Sequence, residues 1–347
     1  MEIETLAYAI SAIFTLLTIL ISGWEVWTHL TQNPSPSSRK YILRILLMVP
    51  IYGTTSYWAL VFISHKLVFE TIRDCYEAFA LHSFYYFLLG YLGGPSVLAN
   101  TLRSKKSIKH KFGVQYFIRT WTMGNKFVRL STIGILQYIP IKLICSFVTL
   151  VTSLLDVYGE GELTNPLRAY PYICLILTLS QSWALYCLVI FYYATADELA
   201  PMKPYFKFMA IKMIIFFTFW QSMLISLLEM VGVISDSWKI GCPHCWSAGQ
   251  IASALEDFII CIEMLIFAIV HHYAFAIDDF LHVGTPDALA AKAPLLANFM
   301  DVINVVDVKN DVTNSRNEIL TKKQLLAAQY DDYIPGKPDQ ARRPSSP

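Results

Sequence analysis

Hydrophobic positions along the chain gather into seven runs, each long enough as a helix to cross a hydrocarbon core about 30 Å thick, which takes about 20 residues. The runs are Ile3 to Trp27, Tyr41 to Ile63, Leu67 to Leu92, Phe127 to Leu155, Ala169 to Ala196, Phe208 to Ile234 and Gln250 to Ala276. The predicted fold class is therefore all-α, a seven-transmembrane helical bundle over residues 1–276 with a cytosolic C-terminal tail. The third run is the least apolar, being interrupted by Glu70, Arg73, Asp74, Glu77 and His82. The first run begins with Glu2 and Glu4 and lacks a basic start and a small-residue cleavage site, so it reads as a retained span and not a signal peptide. No internal repeat is evident, which argues against an inverted-repeat transporter.

Basic residues between the runs set the expected orientation. The connector from Gly93 to Lys126 carries Arg103, Lys105, Lys106, Lys109, Lys111, Arg119 and Lys126, and no acid occurs from Pro95 through Leu155, which predicts a cytoplasmic loop. Alternation then places the N-terminus and the Asp156–Arg168 and Ser235–Gly249 loops on the luminal or extracellular side, and the C-terminus in the cytosol. The short loops predicted to lie inside carry Arg39, Lys40, Lys203 and Lys207, in keeping with this. Asn33 is followed by Pro34, so no usable glycosylation sequon provides an independent check. Plasma membrane and endomembrane (vacuole or lysosome) are not distinguished.

Beyond Ala276 the chain turns polar. Residues 277–330 are expected to form a cytosolic tail with amphipathic helices. One carries Leu295, Phe299, Val302, Ile303 and Val306 on a single stripe that should lie on the membrane or the bundle, and another opens at a capping box over Ser315 to Glu318. Residues 331–347 are expected to be disordered.

Composition agrees with a membrane protein. Hydrophobic residues make up 55% and charged residues 15%, too few charges to clothe a soluble chain of this length. Lys and Arg number 27 against 26 Asp and Glu, so bulk charge points to no nucleic-acid partner. The lipid bilayer is the expected surroundings.

Ionisable residues inside spans are costly in lipid and are candidates for function. At 100° per residue, Glu70, Asp74 and Glu77 fall within about 60° of one another with Arg73 flanking them. This stripe reads as part of a solute, cation or proton path, or as ion pairs that neutralise each other at helical spacing. The seventh run adds Glu256, Asp257, Glu263, His271 and His272. Glu256 and Glu263 share a face, and His271 lies within about 60° of Glu256. A carboxylate and histidine series suits proton relay, whereas the spacing is not that of a metal motif, so no metal and no cofactor is expected. Lys142, Lys212 and Gln221 would complete the polar path. No nucleophile and base emerge at recognisable spacing, so the chain is not expected to be an enzyme.

Cys242-Pro243-His244-Cys245 matches a CxxC pattern but lies in a short connector between spans, where a loop-closing disulfide or two free thiols fit better than a redox centre. The 103–126 loop, with Phe112, Tyr116, Phe117 and Trp121 among its basic residues, suits anionic lipid headgroups or ordinary positive-inside bias. In the tail, Phe280 to Val283, preceded by Asp278 and Asp279, and Phe299 to Val302 fit a loose aromatic-x-x-aliphatic pattern of the kind that adds a strand to ubiquitin-like autophagy modifiers.

Several segments together carry a resemblance. Arg73-Asp74-Cys75-Tyr76-Glu77-Ala78-Phe79-Ala80, Tyr91-Leu92-Gly93-Gly94, Leu185-Tyr186-Cys187-Leu188 with Phe191-Tyr192, Lys207-Phe208 with Lys212, Phe219-Trp220-Gln221, and Cys261-Ile262-Glu263-Met264 followed by His271-His272-Tyr273 resemble the transmembrane protein 184 family, which is related to the organic solute transporter alpha subunit. The likeness covers about Met1 to Asn310. It implies a seven-helix membrane protein that transports a small organic solute, with a single-span subunit or a second copy of the chain as partner. The contrasting expectation is an endomembrane adaptor or receptor-like scaffold that recruits cytosolic, for example autophagy-related, partners through its tail. Cys75 stands alone where the alpha subunits are Cys-rich, which argues against bile-acid-type transport.

Overall fold

A computed structural model of the protein describes residues 2–105, 107, 120–159, 165–235, 238, 246–281 and the single positions 302, 306 and 313. Among the described residues there is no strand. The helices are α1 (Glu2–Gln32), α2 (Pro36–Leu46), α3 (Met48–Val61), α4 (Lys66–Tyr91), α5 (Gly94–Arg103), α6 (Asn125–Leu136), α7 (Tyr138–Leu154), α8 (Tyr170–Ala194), α9 (Ala196–Leu199), α10 (Pro204–Met230), α11 (Ala248–Ala274) and α12 (Asp278–Leu281). The chain divides into a unit over residues 1–304 and a second over residues 305–347, of which only positions 306 and 313 are described.

All seven apolar runs lie mainly on helix, but apolar length alone marks fewer spans. Ile3–Gln32, Asn125–Leu154, Tyr170–Ala194 and Pro204–Met230 are long and apolar enough to cross a membrane, which makes four, or five if the pair Ser38–Val61 and Ile63–Tyr91, bent by 118°, counts as one. The second and third expected spans are that bent pair. One of its arms is broken at Leu47, and the other, α4, carries Glu70, Arg73, Asp74 and Glu77. α11, the seventh expected span, is 27 residues long and also lies outside the four.

Proline explains both helix breaks. Pro50 has no N–H for the Leu46 carbonyl, and its ring crowds that carbonyl, so α2 gives way to α3 at Leu47. Leu47 keeps right-handed backbone angles, φ −67 and ψ −14, so the chain kinks there without turning back. Pro140 acts in the same way on Leu136, between α6 and α7. At that second joint Gln137 is tied to α8. Its Nε2 donates to the Ser180 carbonyl at 2.8 Å, and Ser180 Oγ donates to Gln137 Oε1 at 2.8 Å. Gly134, one turn earlier, leaves room for Cys187 and Trp183 of α8, which any Cβ at that position would meet.

α11 begins at a capping box: Ser247 Oγ accepts from the Gln250 amide, and the Gln250 side chain accepts from the Ser247 amide. It packs on α1, α3 and α10, while α4 packs on α2, α3 and α7. The direction of α11 relative to α1 follows from two contact points. Gly53 of α3 brings Thr18 and Met264 together, and His29 Nε2 lies 2.8 Å from the Phe275 carbonyl oxygen. Both pairs are offset by 246 positions, so α1 and α11 run parallel and in register over this stretch.

α1 is amphipathic in reverse. Its buried positions are Ser11, Thr15, Thr18, Ser22, Glu25 and His29, continuing to Asn33, with Leu30 as the apolar exception. Spaced three and four apart, they span about 80° of the helix. Its opposite face exposes Leu16, Leu20, Trp24 and Trp27. This is what a helix with lipid on one side and a polar bundle interior on the other requires.

Candidate functional site

The third-span stripe does face other helices, and its charges are matched across them. Arg73 Nη1 lies 3.5 Å from Asp257 Oδ1 of α11 and donates to Ser56 Oγ of α3 at 2.9 Å, while its pair with Glu70 on the same helix is longer, 3.9 Å. The guanidinium also sits over the Tyr52 ring. At the next position of α4, Asp74 accepts from Lys142 of α7 at 2.8 Å. Glu77, buried, accepts from Gln181 of α8 at 3.0 Å and has Tyr138 and Lys212 beside it. Arg73, Asp74, Glu77, Lys142 and Lys212 are thus drawn together, with Glu70 at the edge and with Asp257, Gln181 and Ser56 as partners that helical spacing could not reveal.

The seventh-span residues divide between two faces. Asp257, Cys261, Met264 and Ala268 form a buried stripe toward α1 and α3, and His271, also buried, lies against the Ala210 main chain of α10. Glu256 and Glu263 lie about 100° around the helix from the Asp257 direction. Gln221 of α10 donates to the Glu256 main-chain carbonyl at 2.9 Å, and one Glu263 oxygen is buried without a hydrogen-bond partner. Glu256 and Glu263 thus lie on a different face of α11 from Asp257.

The feature sequence reasoning passed over is the α1 stripe. Glu25 is 4% exposed, and neither carboxyl oxygen has a hydrogen-bond partner among the described residues. His271 is 1% exposed, with the Ala210 main chain of α10 as a hydrogen-bond partner beside its ring. Below Glu25, His29 is held as a neutral ring: Asn33 Nδ2 donates to Nδ1 at 3.3 Å, and Nε2 donates to the Phe275 carbonyl at 2.8 Å. The signal was present in the sequence as small polar residues at heptad-like spacing, hidden by the high mean hydropathy of the run.

At the same end of the bundle the chain beyond α11 is clamped. Lys207 of α10, 1% exposed, donates to Asp279 Oδ2 at 2.6 Å and to the Met202 carbonyl at 3.1 Å. Phe280 is 3% exposed against His29 and Phe87. Phe280, the aromatic position of the Phe280 to Val283 pattern, is thus core, while His282 and Val283 lie outside the described residues. Of the Leu295 to Val306 stripe, Val302 packs on Leu30 and Leu43, and its carbonyl accepts from Arg44 Nε at 2.9 Å. The rest of the second tail pattern, Phe299 to Asp301, lies outside the described residues, as do the Cys242–Cys245 pair and most of the 103–126 loop.

Lys105, at the start of that loop, reaches Glu198 at 2.8 Å and Asp197 at 3.3 Å. Burial pulls its pKa down, but the two carboxylates outweigh this and hold it above the ordinary lysine value.

Two cavities among the described residues are apolar. One of about 160 Å³ lies between α4, α8 and α10, against Phe84, Leu188, Tyr192 and Phe208. Another, of about 310 Å³, runs along the start of α1 to Trp238, Trp246 and Phe258. None of the expected path residues lines either one. Among the described residues no group of three His, Cys, Asp or Glu could hold a metal ion.

An all-helical bundle with lipid-facing apolar surfaces and paired charges inside defines an integral, multi-pass membrane protein. The family described as organic solute transporter Ostalpha matches residues 7–280, and the chain belongs to that family. Two relatives from Arabidopsis thaliana are each 34% identical: Protein LAZ1 homolog 1 over 76% of this chain and 56% of its own length, and Protein LAZ1 over 85% and 62%. The chain thus spans about three fifths of the length of these curated relatives. No solved structure matches.

Proposed function

We propose that the protein is a seven-span, non-enzymatic carrier of a small organic solute, or a subunit of one, that moves its solute along the polar seam where α1, α3 and α11 meet. The observation that carries this reading is the reversed amphipathicity of α1. Seven polar residues, one of them an unpartnered carboxylate, are turned into a bundle whose outer surface is apolar, at a cost that structure alone does not repay. The parallel course of α1 and α11 supports an odd number of crossings, and hence N- and C-termini on opposite sides, with the basic 103–126 loop and the C-terminus cytosolic. The Arg73–Asp257 pair sits on the wall of the seam and the Asp74–Lys142 pair behind it, joining α4 to α11 and α7.

The adaptor reading is the weaker one, because Phe280 and Val302 are both committed to the bundle. Uptake of a panel of labelled organic solutes into liposomes holding the purified protein alone tests the carrier reading. Accumulation above protein-free liposomes is expected for at least one member. Equal uptake across the whole panel, with the protein correctly inserted, would count against a stand-alone carrier, and repetition with a candidate single-span subunit would then separate a subunit from a non-transporter.

A further inference from the structure

The cavity of about 310 Å³ lies at one end of the seam. On α1, positions 4, 8, 11, 15, 18, 22, 25 and 29 follow one another at steps of four and three, which keeps them on one helix face. Ser11 to His29 make the buried polar stripe, and Glu4 and Tyr8, which line the cavity, continue it toward the N-terminus. The partner helix agrees. Tyr8 and Ala254, related by the 246 positions that set α1 and α11 in register, both line the cavity, and the same offset brings the Thr15 hydroxyl beside the Cys261 thiol further along. The cavity is therefore the N-terminal end of the seam itself.

Walls and charge define what fits. The walls are apolar and aromatic, with Trp238, Trp246 and Phe258 beside Leu6 and Leu255, and the volume reaches the range of small-molecule sites, about 300–1,000 Å³. Among the described residues the lining holds one acid, Glu4, half-buried with Tyr8 within electrostatic reach, and no Lys or Arg. The bias extends along the seam: α1, α3 and α11 carry Glu2, Glu4, Glu25, Glu256, Asp257 and Glu263 but not one Lys or Arg. The cations that reach α11 from α4 are engaged, Arg73 by Asp257 and Lys66 by Ser253 Oγ at 2.8 Å. Further in, Glu25 is 4% exposed and without a hydrogen-bond partner among the described residues, so a donor travelling the seam meets an acceptor that lacks one. An anion is repelled at the entrance. A hard metal cation wants about six or more oxygens, which these walls do not present. An ammonium on an apolar body satisfies both features: the body displaces water from the walls, and the charge meets Glu4 and the two Trp rings.

We propose that this cavity is the entry site of the seam and takes amphipathic organic cations, a single amine on a compact apolar body. That it is an entry site rests on the carrier reading above; that it binds such cations does not.

Three probes that share one apolar body separate charge from hydrophobicity: diphenylpropylamine, the neutral diphenylpropanol and the anionic diphenylpropanoate. Binding of each tritiated probe is measured at neutral pH to the full chain in nanodiscs of zwitterionic lipid, over empty nanodiscs. The amine should bind saturably, and the alcohol and the carboxylate should each be weaker by about tenfold or more, the difference between a charge-assisted and a neutral contact. Glu4→Gln should weaken the amine about tenfold and leave the alcohol unchanged, which a merely structural role for Glu4 would not do. Ala254→Trp should fill the cavity and abolish amine binding. Should that variant fail to give a monodisperse protein, Ala7→Trp on the α1 wall decides. Absence of saturable amine binding would overturn the site. So would an alcohol or carboxylate that binds as tightly as the amine, as a site for a lipid tail or an anion requires, or amine binding unmoved by the filled cavity. Saturable amine binding without amine uptake into liposomes would refute the entry role and leave the cation site standing. Uptake of another solute by protein that does not bind the amine would overturn the site and leave the carrier reading standing.

Discussion

Two polar regions sit side by side in this bundle and are built differently. Around α4, each main ionised group meets an opposite charge or an amide from another helix: Arg73 with Asp257, Lys142 with Asp74, Gln181 with Glu77. Along the buried face of α1 the polar residues are mostly uncharged, and Glu25 has no hydrogen-bond partner among the described residues. The charged stripe is what stands out in the sequence, yet matched charges are a way of holding helices together. The quieter stripe leaves hydrogen-bonding capacity unused, and unused capacity in a dry interior is what a passing solute or proton can exploit.

If the α4 region is structural, breaking it should cost stability first. Arg73→Met strands Asp257, which is 2% exposed, and should destabilise the purified protein by about 3–5 kcal/mol in a thermal or denaturant melt. Adding Asp257→Leu should recover most of that loss, because a buried pair replaced by apolar groups of similar size is close to neutral. A double variant as unstable as the single one would contradict the structural reading.

The next effect belongs to packing. Gly134→Ala puts a methyl into Cys187 and Trp183, and overpacking of this kind costs about 1–3 kcal/mol, readable as a lowered midpoint in the same melt. Lys142→Met should cost less, about 1–2 kcal/mol, since of the two carboxyls beside it only Glu77 is buried, the Asp74 side chain being 44% exposed. If Lys142→Met equalled Arg73→Met, the two ion pairs would not differ in burial as described.

Lys105 sharpens the comparison from outside the bundle. Its raised pKa means that the contribution to stability is complete below the ordinary lysine value and is lost only as pH climbs through the folded value, at strongly alkaline pH. With Asp197 91% exposed, Lys105→Ala should change stability by no more than about 0.5 kcal/mol at neutral pH, and high salt should erase the difference.

Helix content and the order of the apolar segments were legible in the sequence because periodicity and length carry them. The stripe of Glu70, Arg73, Asp74 and Glu77 was legible for the same reason. The partners Asp257, Lys142 and Gln181 were not, since which helix lies opposite is a tertiary fact that a single helix does not encode. The breaks at Leu47 and Gln137 could have been anticipated from Pro50 and Pro140. Glu25 was missed because mean hydropathy averages over a helix and conceals which face is polar. The burial of Phe280, set by Lys207 clamping its neighbour Asp279, lies beyond any local pattern.

The central claim is that the α1–α11 seam, and not the paired cluster around α4, is the region that opens. Single cysteines at Thr18 and Ser22, compared with one at the equally buried Ser83 of α4, test it in liposomes in a background stripped of the native cysteines. A small membrane-impermeant thiol reagent should label Thr18→Cys and Ser22→Cys at a measurable rate and leave Ser83→Cys unmodified. Equal resistance at all three positions in protein active for uptake, or preferential labelling at Ser83→Cys, would contradict the account.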